Sequence, residues 1–129
     1  MTTFNSYNFY EILKESVGKY PNRTAVTYFN INWNYTTLLD KIDKTAKAFR
    51  NHGIGHGDIV SLSLPTMPEA LMCFYALNKI GAIPCMIDVR YTPEQMCEIV
   101  DRTHSKMLFI MGFFCKSWAN TKVDINVEK

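Results

Sequence analysis

Residues 59–111, IVSLSLPTMPEALMCFYALNKIGAIPCMIDVRYTPEQMCEIVDRTHSKMLFIM, alternate short apolar runs with longer stretches, and this alternation decides the fold. Three apolar runs are predicted strands: Ile59–Leu64, Ile83–Ile87 and Met107–Met111. The first intervening helix opens at Thr66-Met67-Pro68-Glu69 and ends at Gly81. The second opens with the capping box Thr92-Pro93-Glu94-Gln95 and runs to about Arg102. Short apolar strands alternating with helices indicate an α/β fold with a parallel sheet covered on both faces.

The residues that precede this alternation predict a helix and a β-hairpin. Asn8 caps the first helix, with Glu11 three residues further on and Tyr7 placed to pack on Ile12. The predicted apolar stripe consists of Phe9, Ile12, Leu13 and Val17, and Pro21 closes the helix. Two β-rich stretches follow and form the predicted hairpin: Thr24–Phe29 and Ile31–Tyr35, joined near Asn30.

A second helix is predicted from about Thr36 to His52, with Gly53 as a left-handed cap. Its apolar face is made of five residues: Leu38, Leu39, Ile42, Ala46 and Phe49. On the opposite face, Asp40 with Lys44 and Asp43 with Lys47 are placed as ion pairs four residues apart. The expected architecture is three layers: a mostly parallel sheet flanked by helices, with an N-terminal helix and hairpin.

Length and composition predict one globular domain over residues 1–129. The chain has 129 residues, of which 47% are hydrophobic and 20% charged, a balance typical of globular proteins rather than disordered ones. No apolar run approaches the roughly 20 residues of a membrane helix, so no membrane span is predicted. Residues 1–6 have neither a basic start nor an apolar stretch, and no secretion signal is expected.

The charge pattern does not predict a nucleic-acid surface. The net charge is +2, and the densest basic cluster is interleaved with Asp40 and Asp43. That cluster consists of Lys41, Lys44, Lys47 and Arg50. A surface that follows a phosphate backbone needs a stripe of one sign, so these residues are interpreted as the solvated face of a helix.

The cysteines and histidines do not form a motif that carries chemistry. Cys73, Cys85, Cys97 and Cys115 are too far apart for a CxxC pair and have apolar neighbours, which indicates buried free thiols in a reducing cytoplasm. His52 and His56 lie in a glycine-rich run, residues 52–58, which precludes the helix that would align them on a metal. His104 is predicted to lie in a loop beside Ser105 and Lys106, and these neighbours do not indicate a nucleophile–base arrangement.

The glycine-rich run His52–Asp58 superficially resembles a phosphate-binding loop. A dinucleotide loop follows a strand and opens a helix, whereas this run follows a helix and precedes a strand. It is therefore interpreted as a helix-to-strand turn. Asp88 follows a strand at the edge where α/β sheets bind ligands, but the preferred interpretation is that it caps the Arg90–Thr92 turn. No residue is assigned a catalytic, cofactor-binding or metal-binding role.

Several segments occur in an order that resembles a known family. They are Trp33–Leu38, Gly53–Val60, Leu64–Glu69, Leu77–Ala82 and the stretch from Pro93 to Ile110. Together they resemble the start of the AMP-forming adenylate synthetases, which include acyl-CoA synthetases, firefly luciferases and the adenylation domains of peptide synthetases. The sequence departs from the family pattern at Thr37 (usually Glu), Thr66 (usually Asn) and Met86 (commonly Pro).

The resemblance implies a function for a longer parent enzyme. Such enzymes activate a carboxylic acid, here expected to be a fatty acid, with ATP and Mg²⁺ to an acyl-adenylate and pass the acyl group to coenzyme A. Their phosphate loop, their Thr-Glu and Thr-Gly-Asp segments and their C-terminal lysine would all follow Lys129. The chain is thus expected to be an inactive scaffold, the first part of the large N-terminal domain.

Two alternatives remain open at this point. One is a stand-alone α/β interaction module, and the other is a small nucleotide-binding domain that uses the strand ends near Leu64, Asp88 and Gly112. Exposed sheet edges or apolar faces are expected to cause self-association. In the tail, Phe113–Trp118 is a helix candidate, while Val123–Val127 could be a helix end or a short strand.

Overall fold

The computed structural model describes residues 8–111 and the backbone of residues 127–128. The helices are α1 (Phe9–Lys19), α2 (Tyr35–Asn51), α3 (Pro68–Lys79) and α4 (Pro93–Thr103). The strands are β1 (Thr24–Tyr28), β2 (Ile31–Asn34), β3 (Ile59–Ser63), β4 (Ile83–Met86), β5 (Met107–Ile110) and β6 (Val127–Glu128). Among the described residues, we find no helix with the length and apolar character needed to cross a bilayer.

The main sheet is parallel and has the strand order β4-β3-β5-β6. The central strand β3 pairs with β4 from Ile59 opposite Ile83 and with β5 from Val60 opposite Met107. Strands β1 and β2 form a separate antiparallel hairpin. The predicted α/β class, its parallel sheet and its N-terminal helix and hairpin are confirmed.

Side chains of the sheet alternate between two faces, as the pleat requires. On β5, Met107 and Phe109 pack in a large cluster with α1, α2 and α3. Leu108 and Ile110 point to the other face and pack with Met96 of α4. The sheet therefore lies between two helix layers, which is the predicted three-layer arrangement.

The helix ends follow the predicted capping chemistry. The Asn8 side chain accepts the Glu11 amide at 3.0 Å, and Thr92 and Gln95 exchange both hydrogen bonds of a capping box. Gly53 and Gly81 have φ angles of +83° and +76°, so each occupies the left-handed region that glycine adopts without a Cβ clash. These four features fix where α1, α2, α3 and α4 begin or end.

The predicted apolar stripe of α1 is partly wrong. Phe9 and Ile12 are 57% and 49% exposed, whereas Tyr10, Leu13 and Val17 are buried. The Tyr10 hydroxyl donates to Asp43 Oδ1 at 2.8 Å, which turns its ring toward α2. The buried face of α1 is therefore rotated toward Tyr10.

One predicted ion pair of α2 forms and the other does not. Lys44 Nζ lies 2.9 Å from Asp40, as the spacing predicts. Asp43 instead accepts a hydrogen bond from Lys79 Nζ at 2.9 Å, because its position on α2 faces α1 and α3 rather than solvent. The predicted contact with Lys47 is replaced by a link between helices.

Element bounds differ from the prediction by small amounts. The three predicted strands each end one residue earlier, and α2 begins at Tyr35 because Asn34 is its N-cap. The predicted Tyr7 contact and the 113–118 helix lie outside the described residues. Val127 and Glu128 form β6 parallel to β5, at the end of the segment for which the sequence left a strand or a helix end open.

Candidate functional site

The carboxyl ends of β3 and β4 border a groove next to the first turn of α3. This edge of an α/β sheet is where ligands usually bind. The groove has a volume of about 260 Å³ and is lined by Leu64, Pro65, Thr66, Met67, Ala70, Leu71, Phe74 and Met86. Among the described lining residues, the Thr66 hydroxyl is the one polar side chain. These residues therefore fit an apolar group and do not provide a nucleophile–base pair.

Asp88 lies at the same edge and stabilises its own turn. Its carboxylate accepts hydrogen bonds from the Arg90 amide at 2.8 Å and from the Arg90 guanidinium at 2.6 Å. The guanidinium hydrogen bonds, followed by the backbone one, lower the pKa of Asp88 to about 2. This geometry favours the turn-capping interpretation of Asp88 over a ligand contact.

The glycine-rich run lies at the opposite, amino end of the sheet. The Gly55 amide donates to the Asp58 carboxylate at 2.7 Å, and the Gly57 amide donates to Gly81 O at 2.9 Å. Lys106 Nζ donates to Asp58 at 3.2 Å and also contacts Gly53 O. The Gly55 hydrogen bond, then the Lys106 contact, lowers the pKa of Asp58. The predicted helix-to-strand turn is confirmed.

The described residues do not offer a site for the phosphates of ATP or for Mg²⁺. A phosphate-binding loop presents backbone N–H groups to its ligand, but the Gly55 and Gly57 amides donate within the chain. Within residues 8–111, no three His, Cys, Asp or Glu side chains are grouped as metal ligands. This part of the chain does not fit ATP–Mg²⁺, and we derive no chemical step through it.

The histidines occupy three separate structural positions. His52 caps the C-terminus of α2, with Nδ1 2.8 Å from Ala48 O. The His56 ring lies against Gly81, where a Cβ would come within 2.5 Å of it. His104 ends α4 in the left-handed region at φ +54°. Each of these contacts belongs to a turn or to a helix end.

The described cysteines are free thiols. Cys73 and Cys97 are buried, as predicted, and Cys85 is half-buried against the α4 cluster. Burial raises the pKa of Cys73 to about 12 and also raises the pKa of Cys97, so neither is a thiolate at neutral pH. Cys115 lies outside the described residues.

A second and larger groove lies between α2, α3 and β5, and the sequence interpretation missed it. Its volume is about 390 Å³, and it is lined by Lys41, Lys44, Thr45, Ala48, Phe49, His52, Met72, Cys73, Met107 and Phe109. Met72, Met107 and Phe109 have the spacing of core residues, which by itself predicts packing rather than a groove. We call this space the α2 groove. Residues from three separate segments line it, so no local sequence pattern indicates it.

A polar network between the helices was also missed. Asp43 accepts from both Tyr10 and Lys79, and Lys79 Nζ lies 5.2 Å from the centre of the Tyr10 ring. The network links α1, α2 and α3 on one side of the sheet. Burial, followed by the Asp43 contact, raises the pKa of Tyr10, and the Asp43 hydrogen bond raises the pKa of Lys79.

Comparison with known proteins identifies the class to which this fold belongs. The family described as AMP-binding enzyme matches residues 13–129. A crotonobetaine/carnitine–CoA ligase of Salmonella paratyphi B is 27% identical over 129 residues, which cover 96% of this chain and 25% of the ligase. A related ligase of Salmonella enteritidis is 29% identical over 113 residues, covering 84% of this chain and 22% of that protein.

Solved structures share the fold. The anthranilate CoA ligase AuaEII, in complex with anthranoyl-AMP, superposes with a TM-score of 0.81 at 21% identity, over 86% of this chain and 22% of that one. A Mycobacterium tuberculosis fatty acyl CoA synthetase gives a TM-score of 0.76 at 23% identity, over 79% of this chain and 21% of that one. The chain belongs to the AMP-binding enzyme family. It spans about a quarter of the length of the ligase relatives it matches.

Proposed function

We propose that this chain is the N-terminal part of an AMP-forming ligase whose whole enzyme activates a carboxylic acid with ATP and transfers the acyl group to coenzyme A. The observation that carries the proposal is the family match over residues 13–129. The CoA ligases among the relatives support the reaction class. In this proposal the chain supplies the parallel sheet and its helix layers, and the phosphate and metal chemistry belongs to other parts of the enzyme.

The proposed substrate is a fatty acid, and the chain alone is proposed to be inactive. A fatty acyl CoA synthetase among the structural neighbours supports the substrate class, although other neighbours are named for aromatic acids. The poor fit of the described residues to ATP–Mg²⁺ supports inactivity. The buried thiols Cys73 and Cys97 suit a reducing compartment, and we therefore propose that the protein resides in the cytoplasm.

Two measurements test this proposal. The transcript is sequenced past the codon for Lys129, where we expect a Ser/Thr/Gly-rich stretch that ends in Pro-Lys-Gly. A stop codon at that point would overturn the proposal. The 129-residue chain is then assayed for ATP–pyrophosphate exchange with a fatty acid, anthranilate or crotonobetaine. We expect no exchange, and turnover with any of these acids would contradict the proposed inactivity.

A second candidate function is a stand-alone interaction module. The observation that favours it is the open α2 groove, which lies away from the carboxyl ends of the strands. A stop codon after Lys129 together with a defined protein partner is the result that this candidate predicts. The other alternative, a small nucleotide-binding domain, predicts that ATP, AMP or coenzyme A raises the melting temperature of the chain.

A further inference from the structure

The tip of the β1–β2 hairpin presents a bare aromatic ring to solvent. Phe29 is 86% exposed, more than any other large hydrophobic residue among those described. Its φ angle is +49°, in the left-handed region that bulky aromatic residues rarely adopt. The Tyr28 ring lies edge-on to it, with the ring centres 4.7 Å apart. Residues held in sparsely populated backbone regions cluster at functional positions such as ligand clamps and switch regions, and the backbone strain at Phe29 motivates a search for its contact.

The α2 groove has the chemistry of a site for an aromatic side chain. Its lining includes two thioethers and a thiol, from Met72, Met107 and Cys73, together with the rings of Phe49 and Phe109. Sulfur–aromatic and edge-to-face ring contacts both favour an aromatic guest. Lys41 and Lys44 line the same groove. The Lys41 ammonium lies 4.7 Å from the centre of the Trp33 ring and the Lys44 ammonium lies 2.9 Å from Asp40, so the aliphatic stems of these side chains are what they offer to an aromatic guest.

We propose that two copies of this chain associate by inserting Phe29 of one copy into the α2 groove of the other. Each copy carries both the exposed ring and the groove that suits it. Residues 24–34, which form the hairpin, carry no charged side chain, so its insertion beside Lys41 and Lys44 brings no cation close to another cation. An exposed apolar group and a complementary pocket elsewhere on the same molecule are the elements of a head-to-tail contact.

Among the described strands β4 lies at the edge of the sheet, and pairing through its outer side is a weaker route to self-association. The Ile83 amide donates to Asp58 O at 2.7 Å and the Ile87 amide donates to Leu62 O at 2.8 Å, so these alternate residues face β3. Pro84 and Met86 therefore face the outer edge. Because proline has no N–H, Pro84 removes one of the donors that an added strand needs. Ile83 and Met86 are exposed there, but the backbone ladder is incomplete.

Sedimentation equilibrium of the full 129-residue chain tests the proposal with two variants. Phe29→Asn removes the ring and places at the left-handed position a residue that tolerates it. Ala48→Glu places a carboxylate in the groove at an exposed helical position. Each change is expected to weaken self-association about tenfold or more, as loss of a buried aromatic anchor does. The melting temperature of Phe29→Asn is expected to be unchanged or higher, which separates lost association from lost folding.

Matched controls and a mixing experiment complete the design. Tyr91→Asn removes another exposed aromatic ring, and Gln95→Glu adds one negative charge on α4 while keeping the capping interaction; neither is expected to alter association. In a mixture of the two variants, the intact groove of Phe29→Asn can accept the intact Phe29 ring of Ala48→Glu. The mixture is therefore expected to associate more than either variant alone. A monomeric wild-type chain at high concentration, unchanged association of either variant, or a mixture without recovery would overturn the proposal.

Discussion

The two faces of strand β3 are built from different side chains although they belong to one strand. Val60 and Leu62 point into the large cluster beneath α1, α2 and α3. Ser61 and Ser63 alternate with them and point to the α4 face, where both are buried. One face of the strand is thus stabilised by apolar packing, and the other by packing interrupted with hydroxyl groups.

The helix layers on the two faces also differ, in the number of helices and in the size of the apolar cluster that they cover. On the large face, three helices enclose the apolar cluster and are linked through the Asp43 carboxylate. On the other face, α4 covers a small cluster, and its last residue, Thr103, joins a hydroxyl chain through Ser105 to Ser61. Most of the folding free energy should therefore come from the large face, with α4 contributing a smaller and more adaptable part.

The largest expected effect is the loss of a leucine from the large face. Leu77 on α3 and Leu108 on β5 are both fully buried, but only Leu77 belongs to the large cluster. Leu77→Ala should lower the free energy of unfolding by about 4 kcal/mol, because three helices hold the cavity open. Leu108→Ala should cost about 2.5 kcal/mol, since α4 can move into the space.

Denaturant unfolding of the two leucine variants measures this difference directly. The two substitutions remove the same atoms, so each serves as the control for the other. Equal losses would mean that the two faces are equally rigid, and a larger loss for Leu108→Ala would reverse the comparison.

The next effect concerns the polar network of the large face. Asp43→Ala removes the acceptor for Tyr10 and Lys79 and should lower the free energy of unfolding by about 2 kcal/mol. Asp40→Ala, which breaks an exposed pair with Lys44, is the matched control and should cost about 0.3 kcal/mol. Similar losses for the two variants would show that the network is no stronger than a surface pair.

The same network predicts a pH dependence. The folded-state pKa values of Lys79 and Tyr10 lie above their ordinary values of 10.5 and 10.0. The folded state therefore retains protons that the unfolded state loses, and stability should fall as the pH rises above about 10. Unfolding followed between neutral and alkaline pH should show a shallower decline for Asp43→Ala than for the wild type. An identical decline in both would contradict the role of Asp43.

Ser61 and Ser63 should respond in opposite directions to the same substitution. Ser61 Oγ lies 2.7 Å from Ser105 Oγ, so Ser61→Ala should cost about 1 kcal/mol. Ser63 Oγ is buried and has no hydrogen-bond partner in the described structure, and Ser63→Ala should raise stability by about 1 kcal/mol. Thermal unfolding of both variants measures the direction of the two changes in stability. A change in the same direction for both would show that the hydrogen bond of Ser61 does not distinguish the two positions.

The fold was largely predictable because its signals are local. Alternation of side chains along residues 59–64, the capping box at Thr92 and the glycines at positions 53 and 81 each act within a few residues. The buried face of α1 was not predictable in the same way. The Tyr10 ring turns inward because its hydroxyl reaches Asp43, which lies 33 residues away, and helical spacing contains no such information.

The candidate sites were less predictable for the same reason. The glycine-rich run could be interpreted from its order between α2 and β3, and the structure agrees with that interpretation. The α2 groove depends on how α2, α3 and β5 meet, and its apolar residues have the spacing of core residues. The exposure of Phe29 depends on a left-handed turn in a sequence that contains no glycine there. Sequence pattern shows which residues are apolar but not which of them remain uncovered.

The smallest expected effect lies at the amino end of the sheet, which belongs to neither face. Asp58 precedes β3 and Lys106 precedes β5, and their contact holds the glycine-rich turn. The folded-state pKa of Asp58 lies below its ordinary value of 3.8, so its contribution to stability is present above that pH and is lost as the pH falls through the folded-state pKa. Asp58→Asn should therefore reduce stability slightly at neutral pH and flatten the acid limb of the stability curve below about pH 4.

Because the site is solvated, salt should weaken the effect, whereas the leucine variants should show no comparable salt dependence. A loss for Asp58→Asn as large as that for Leu77→Ala would place the main source of stability at the turn and not in the large face.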